Sequence, residues 1–557
     1  MQYYPFRTCF DLRPPLIICG CPKKLNILEC NTVGGGMGNS ATGQCSTVSG
    51  GLSNAATGDF SAVAGGLRNS AEGYAAVVGG GADNTASTVL DGSEVEKEYG
   101  ATVAGGTNNS AIGNAVTIGG GGNNRAGNVA SIGGGLDNIA TGYGAVVSGG
   151  TNNEAMGILS TVGGGQFNKV SNFFTFVGGG TGNEAVGNVS TIAGGAVNKT
   201  AADLATIGGG DSNQALGESS TVAGGSKNVT RGRGAVVSGG TENTAITTEG
   251  VAVVGNTEDG DTAFYGATVS GGSNNIANGG ASTIGGGVNN KAGEVATIAG
   301  GSGNNASGPY SAISGGLENR AEGNVSSVGG GVINQAIGNA SAIGGGRFNS
   351  ASGEGSTIPG GQRNTASEEN SFAAGTNARA LHNGSYVWSD NSVPVGDPSI
   401  DTGAASTADN QYVVRAVGGT FFDVGTGGFN IQGALSKTSG TFDIPHPDPM
   451  KEGMRLRHSF VESASAGDNI YRYQVNVEGG EGKVLLPSYF HHLNGNVQTW
   501  VSPVRSFGHG YAMIRDDSLE VRVNTSVDGL YNVLIIGTRI DPDAVEAWES
   551  KGVEYRR

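Results

Sequence analysis

From about Asn31 to Gly384 the apolar positions follow one period, a branched aliphatic every fifteen residues inside the unit (S/A)-T-(V/I)-x-G-G-x-x-N-x-A-x-G. The aliphatic falls at Val33, Val48, Val63, Val78, Val103, Ile118, Ile132 and Val147, then at Val162, Val177, Ile192, Ile207, Val222 and Val237. It resumes at Val269, Ile284, Ile298, Ile313, Val328, Ile343 and Ile358. About twenty-one copies are legible, spaced within the blocks by fifteen residues or, twice, by fourteen. A register this strict predicts a solenoid, whose units bury their apolar face against one another.

Within a unit the chemistry predicts one short strand plus corners. Around Val48, the alternation Ser46, Thr47, Val48 sends Ser46 and Val48 inward and Thr47 outward. Gly50 and Gly51 turn the chain where a Cβ is unwelcome. Six residues after the aliphatic stands an Asn, as at Asn39, Asn54, Asn69, Asn84, Asn168, Asn183, Asn198, Asn213, Asn228, Asn243, Asn319, Asn334, Asn349 and Asn364. Asn tolerates the left-handed conformation, and stacked copies are placed to bond from coil to coil as a side-chain ladder. Ala follows two residues on and Gly two further (Ala56, Gly58; Ala185, Gly187), so the tube is thin.

Two acidic insertions, Thr88 to Gly100 and Ile246 to Gly266, break the register. Insertions of this kind map to loops on one face of a solenoid, often a binding face, and are also tolerated as plain surface excursions. Composition sharpens the class: 105 glycines in 557 residues, with a fixed period but no three-residue repeat, indicate stacked turns rather than collagen or disorder. The net charge of −16 is spread out with few Lys or Arg clusters, which argues against nucleic acid as a partner. No run of eighteen apolar residues is present, and the stretch Pro14 to Cys19 is too short for a signal peptide. The five cysteines, Cys9, Cys19, Cys21, Cys30 and Cys45, crowd the start of the chain. Their odd number and lack of a C-x-x-C pair leave a disulfide or metal knob, an attachment segment and a misassigned start all open for residues 1–31.

The period fades over S-F-A-A-G-T-N-A-R-A-L-H-N-G-S-Y-V-W (Ser371 to Trp388), where Phe372 is read into the aliphatic slot fourteen residues after Ile358. This segment resembles the head repeats of trimeric autotransporter adhesins, and the upstream units look like a one-residue-longer version of them. The resemblance implies a left-handed parallel β-roll and a homotrimer. N-Q-Y-V-V-R-A-V-G-G-T-F-F (Asn410 to Phe422) is similar to the connector that follows such heads. Downstream, L-S-K-T-S-G-T-F-D-I-P-H-P-D-P (Leu435 to Pro449), R-H-S-F-V-E-S (Arg457 to Ser463), N-I-Y-R-Y-Q-V (Asn469 to Val475), W-V-S-P-V (Trp500 to Val504) and L-I-I-G-T-R-I-D-P (Leu534 to Pro542) resemble a C-terminal module of bacteriophage tail fibres and bacterial surface repeat proteins. The chain ends in V-E-Y-R-R rather than an autotransporter anchor, which favours the tail-fibre side of that resemblance.

The expected organisation is all-β: an attachment segment at 1–31, solenoid repeats at 32–388, a connector at 389–434 and a C-terminal antiparallel β-sandwich-like domain at 435–557. Strands are expected at Tyr471 to Val477, Lys483 to Leu486, Val497 to Val504, Leu519 to Val523 and Val533 to Ile540, with one helix from Asp543 to Lys551. Five of the six histidines lie in this last part, but no zincin, P-loop or nucleophile-elbow spacing accompanies them. A non-enzymatic protein without metal or cofactor is therefore expected. The alternatives are a glycan-degrading tail spike, disfavoured because Asp203, Asp211 and Glu218 are scattered, and an ice-binding solenoid, disfavoured because Ala62 and Ala312 interrupt the outward Thr rank. The sequons at Asn108, Asn188, Asn198, Asn228, Asn305, Asn324 and Asn339 follow from composition. Candidate residues for tip binding or assembly are His446, His458, Glu462, Tyr471, Tyr489, His491, His492 and Trp500. The function expected is an extracellular fibre, on a virion tail or a cell surface, whose tip recognises a surface glycan or protein receptor without inserting into a membrane.

Overall fold

The computed structural model describes residues 30–88, 100–247, 266–392, 403–424, 429, 431, 441–459, 467–515, 518–541 and 545. It divides into two compact units, Met1–Thr420 and Phe421–Arg557.

The first unit is a parallel β-solenoid, and each coil carries more β-structure than one strand. The coil at Val48 has two two-residue strands, Thr47–Val48 and Ala55–Ala56, with a single bridging residue, Leu52, between them. Thr47 pairs with Ala62, Leu52 with Leu67, and Ala55 with Ser70 in the next coil, all in parallel. The Ala-containing strand is too short to show an alternation, and Ala is a weak strand former, so the sequence pattern hid it.

Ser46, Val48, Asn54 and Ala56 are fully buried, so this coil encloses one aliphatic, one Ala, one Ser and one Asn; elsewhere Val170, Thr200 and Thr230 replace the Ala, and Val116 and Thr175 the Ser. In-register stacking explains the second Gly of each pair: Gly51 has φ +100°, and a Cβ there would lie 2.3 Å from the carbonyl oxygen of Gly66. A Cβ on Gly50 meets nothing within 4 Å. Each coil also turns through two left-handed corners, even at Phe167 and Phe174 (φ 56° and 55°) and at Val197 and Leu204 (φ 55° and 59°). That conformation is costly for branched side chains. Inter-coil backbone bonds impose it: Val197 donates to Thr181 and Leu204 to Asn188, both at 2.9 Å.

The ladder is not interrupted by the insertions. Val77 pairs directly with Thr102, and Val236 with Thr268. The two fourteen-residue spacings are absorbed as well, Thr117 opposing Ser131 and Thr283 opposing Thr297. Towards the C-terminus the pairing continues through Phe372–Thr376, Tyr386–Ser389 and Tyr412–Arg415. The last of these lies in the stretch read as a connector. Phe372 opposes Thr357, fifteen residues before it, so it stands in the outward Thr column and not in the aliphatic slot. Ala373 is the buried residue there. A phenyl ring does not fit so narrow an interior; outside, Phe372 stacks on Tyr386 (centroids 4.3 Å apart) and Tyr386 on Tyr412 (4.8 Å).

The second unit contains a hairpin, Thr441–Pro445 with Arg455–Ser459, and two three-stranded antiparallel sheets. In one sheet Gly529–Arg539 is central between Asp468–Val477 and Asn494–Pro503; in the other Glu520–Thr525 is central between Glu481–Leu485 and Gly510–Ile514. Tyr471, Val475, Val477, Tyr531, Val533 and Ile535 of the first sheet and Val484, Val521 and Val523 of the second share one buried cluster with Phe490. The strands overlap all five expected from sequence, with shifted ends, and add Gly510–Ile514 and the two strands of the hairpin. Apart from Val545, the expected helix at Asp543 to Lys551 lies outside the described residues. No described helix is long and apolar enough to cross a membrane.

Candidate functional site

Three places concentrate chemistry: the buried Asn column, one corner of the solenoid and the surface of the C-terminal sandwich.

The Asn column is a structural ladder. Asn198 Nδ2 donates to the carbonyls of Gly194 (3.0 Å) and Gly210 (2.9 Å) and to Asn183 Oδ1 (3.1 Å). Its own Oδ1 accepts from the backbone N–H of Asn213 at 3.0 Å. The side chain therefore satisfies turn groups in its own coil and in its neighbours, as polar groups buried in so thin a tube require. The same pattern runs from Asn39 to Asn54 and Asn69, through Asn168, Asn183 and Asn213, and on to Asn319 and Asn334. Asn109, Asn124, Asn138, Asn153, Asn275, Asn290 and Asn304 belong to it too. Both insertions are bridged, by Asn109 N–H to Asn84 Oδ1 and Asn275 N–H to Asn243 Oδ1, each at 3.0 Å.

The two insertions leave the tube at the same corner. Thr88 stacks on Gly73 and Gly100 on Ala75; Thr247 stacks on Gly232 and Gly266 on Gly234. Between these points the same corner exposes Val129, Tyr143, Ile158, Leu159, Phe173, Phe174, Val189 and Leu204. Phe176, in the adjoining outward column, is exposed beside them. Contiguous apolar surface of this kind marks interaction sites. Sequence reading passed over this row, although one signal was available: large apolar residues at a position that neighbouring coils fill with Ser, Ala or Gly. On an adjacent face Glu154, Lys169, Glu184 and Lys199 stack with alternating sign, Lys199 Nζ lying 2.8 Å from Glu184 and Lys169 Nζ 3.3 Å from Glu154. Those exposed pairs favour the register without making a site.

In the C-terminal unit the structure brings together some of the sequence-selected residues and separates others. Asp448 is buried at the start of a short 3-10 turn, where its Oδ1 accepts from Met450 N–H at 2.9 Å. Around it gather His446, whose Nδ1 accepts from Asp448 N–H (3.2 Å), Tyr489, edge-on to the His446 ring, and His492, whose Nε2 lies 3.9 Å from Asp448 Oδ1. His491 points elsewhere, with Nε2 2.8 Å from the Ser518 carbonyl. Tyr471 is buried: its hydroxyl accepts from Asn494 Nδ2 at 2.8 Å, and burial pushes its phenol well above the usual range. It is a core residue rather than a surface one. The His458 side chain and Glu462 lie outside the described residues. Among the described residues no group of three or more His, Cys, Asp or Glu is placed to hold a metal ion.

Trp500 lies on the outer face of the first sheet, 47% exposed. Register sets it beside Leu534, which faces Arg472; Ile536 lies beside Ile470, and Gln474 Nε2 donates to Asn532 Oδ1 at 2.9 Å. The result is an indole and aliphatic platform rimmed by a guanidinium and amides. On the other sheet Glu520 is held below the usual carboxylate range by Lys483 and Arg522, both 3.2 Å away. No protein-family model matches this chain, and no curated protein matches it.

Proposed function

We propose that the chain is a structural and binding protein of an extracellular fibre, a homotrimer in which the solenoid is the shaft and the C-terminal sandwich carries recognition. The unbroken parallel register from Thr32 to Arg415 is the observation that carries this reading. At roughly 4.8 Å per rung the solenoid alone extends on the order of 110 Å, with a polar interior ladder that depends on repetition and not on a ligand. A thin coil with Ile as its largest interior side chain buries little apolar surface, which favours association of several chains. The platform around Trp500 supports recognition: an indole face suits the apolar face of a sugar ring, and Arg472, Gln474 and Asn532 offer donors and acceptors to hydroxyls or to a polar protein surface. A virion tail fibre is the first assignment and a bacterial surface adhesin the second.

Light scattering tests the assembly: a mass near three times 55.3 kDa supports the trimer, and a monomer removes it. Trp500→Ala tests the recognition surface. It leaves the sandwich folded by circular dichroism and abolishes binding to target cells or glycan arrays; retained binding moves recognition elsewhere. The solenoid corner is then the second reading, favoured by the shared exit of both insertions beside the row from Val129 to Leu204. Replacing residues 89–99 and 248–265 by short Gly-Ser links discriminates, because binding then depends on the insertions and not on Trp500.

A further inference from the structure

We propose that Cys30 and Cys45 form a disulfide that staples the first described coil of the solenoid to the next. The two cysteines stand fifteen residues apart in a region where that spacing is the register itself: Thr32 pairs with Thr47 and Val33 with Val48. Thr32 N–H donates to the Ser46 carbonyl at 3.0 Å, and Ser46 N–H to Asn31 Oδ1 at 3.3 Å, so the coils are tied on the residues next to both thiols. Equivalent residues in adjacent rungs have Cα atoms roughly 4.8 Å apart. Bridged cysteines have Cα atoms about 4.4–6.8 Å apart, a range that includes this rung spacing. The neighbouring Cys45 raises the Cys30 thiol above its ordinary value. Both corner positions are open to a reagent, Cys30 being exposed and Cys45 half-buried.

The location gives the bond a use. Among the described residues the first coil has a neighbour on one side only, and Val33 is 48% exposed where Val48 is fully buried. A rung paired on one side opens more readily than one paired on both. Closing a fifteen-residue loop there restricts the open state. The chemistry balances with a small-molecule disulfide as oxidant. A thiolate of the pair attacks glutathione disulfide and releases one glutathione thiolate; the neighbouring thiolate attacks the mixed disulfide and releases the second. Two thiols lose two protons and two electrons, and one glutathione disulfide is reduced to two thiols.

The test uses the full chain equilibrated with glutathione disulfide under native conditions, then alkylated. Trypsin releases Leu25 to Arg68 as one peptide carrying both cysteines, and cyanogen bromide at Met37 cuts between them. The expected peptide is two hydrogens lighter than its reduced form and blocked against alkylation. Its cyanogen bromide fragments stay joined until reductant is added. Alkylation of both thiols, or linkage of Cys45 to Cys9, Cys19 or Cys21, overturns the proposal. Amide exchange from Thr32 to Asn39 is expected to slow on the order of tenfold on oxidation. Cys45→Ser abolishes that slowing, and an equal slowing in this variant also overturns the proposal.

Discussion

One coil of the solenoid buries nothing larger than an Ile, and beside it a Ser and an Asn, whereas the sandwich fully buries Tyr531, Phe490 and Leu493. The solenoid's contacts repeat between the same columns in neighbouring coils; the sandwich pairs Asp468 with Thr538 and Glu481 with Asn524 across long stretches of chain. In the first region the loss of a side chain is felt by its two neighbours above and below. In the second it is felt by the whole domain. Cooperativity therefore differs: nearest-neighbour in the solenoid, all-or-none in the sandwich.

The largest effect that separates the two is expected from Phe490→Ala. Phe490 is fully buried and edge-on to Tyr471, and truncation should cost about 3–5 kcal/mol. Urea unfolding should then show the sandwich melting early while the solenoid transition stays in place; a shared shift would break the comparison. Next comes Asn198→Ala, which orphans the Gly194 carbonyl and the N–H of Asn213 and leaves the Gly210 carbonyl with only its bond from Ala196 N–H. At about 1–3 kcal/mol for each group left unsatisfied, hydrogen exchange should accelerate strongly in the flanking coils and hardly at all some five coils away. Within one Gly pair the contrast sharpens further. Gly195→Ala forces a Cβ to 2.2 Å from the Gly210 oxygen at φ +91° and should lower the melting temperature measurably, while Gly194→Ala, with nothing within 4 Å, should be nearly neutral.

The smallest effect is a pH dependence confined to the sandwich. Asp528 accepts from the N–H groups of Gly479 (2.9 Å) and Gly480 (2.7 Å), and those bonds hold its carboxyl below the usual value. A depressed folded value means the contribution is present above the unfolded carboxyl range near pH 4 and is lost as pH falls through the folded value. Asp528→Asn should therefore lower the stability of the sandwich slightly at neutral pH and flatten the slight loss seen below about pH 4, so that the two proteins converge in acid when read by thermal melts.

Sequence legibility follows the same divide. Because the solenoid's partners are fifteen residues away and chemically alike, the inward Val48 column, the Asn column and the insertions can be read from spacing alone. Pairings as short as Ala55–Ala56 leave no alternation to detect, and Leu159 or Phe174 look like inward residues until the left-handed corners turn them out. Phe372 misleads for the same reason: fourteen residues from Ile358 looks like a short coil, but fifteen from Thr357 is the true register. In the sandwich, strand identity was legible in the apolar runs, but the convergence of His446, Asp448, Tyr489 and His492 was not. A short 3-10 turn and a one-turn helix set that cluster, and neither has a repeat to announce it.

The shared exit of the insertions makes the solenoid a ruler. Thr88 and Thr247 leave one corner ten rungs apart, about 48 Å at the strand spacing, and the rungs between them are held in fixed register. A partner that bound both segments would have to match that distance or lose the gain of simultaneous contact. Removing whole coils between them changes the gauge in steps of about 4.8 Å without altering either segment, so bivalent reach can be tuned by counting repeats.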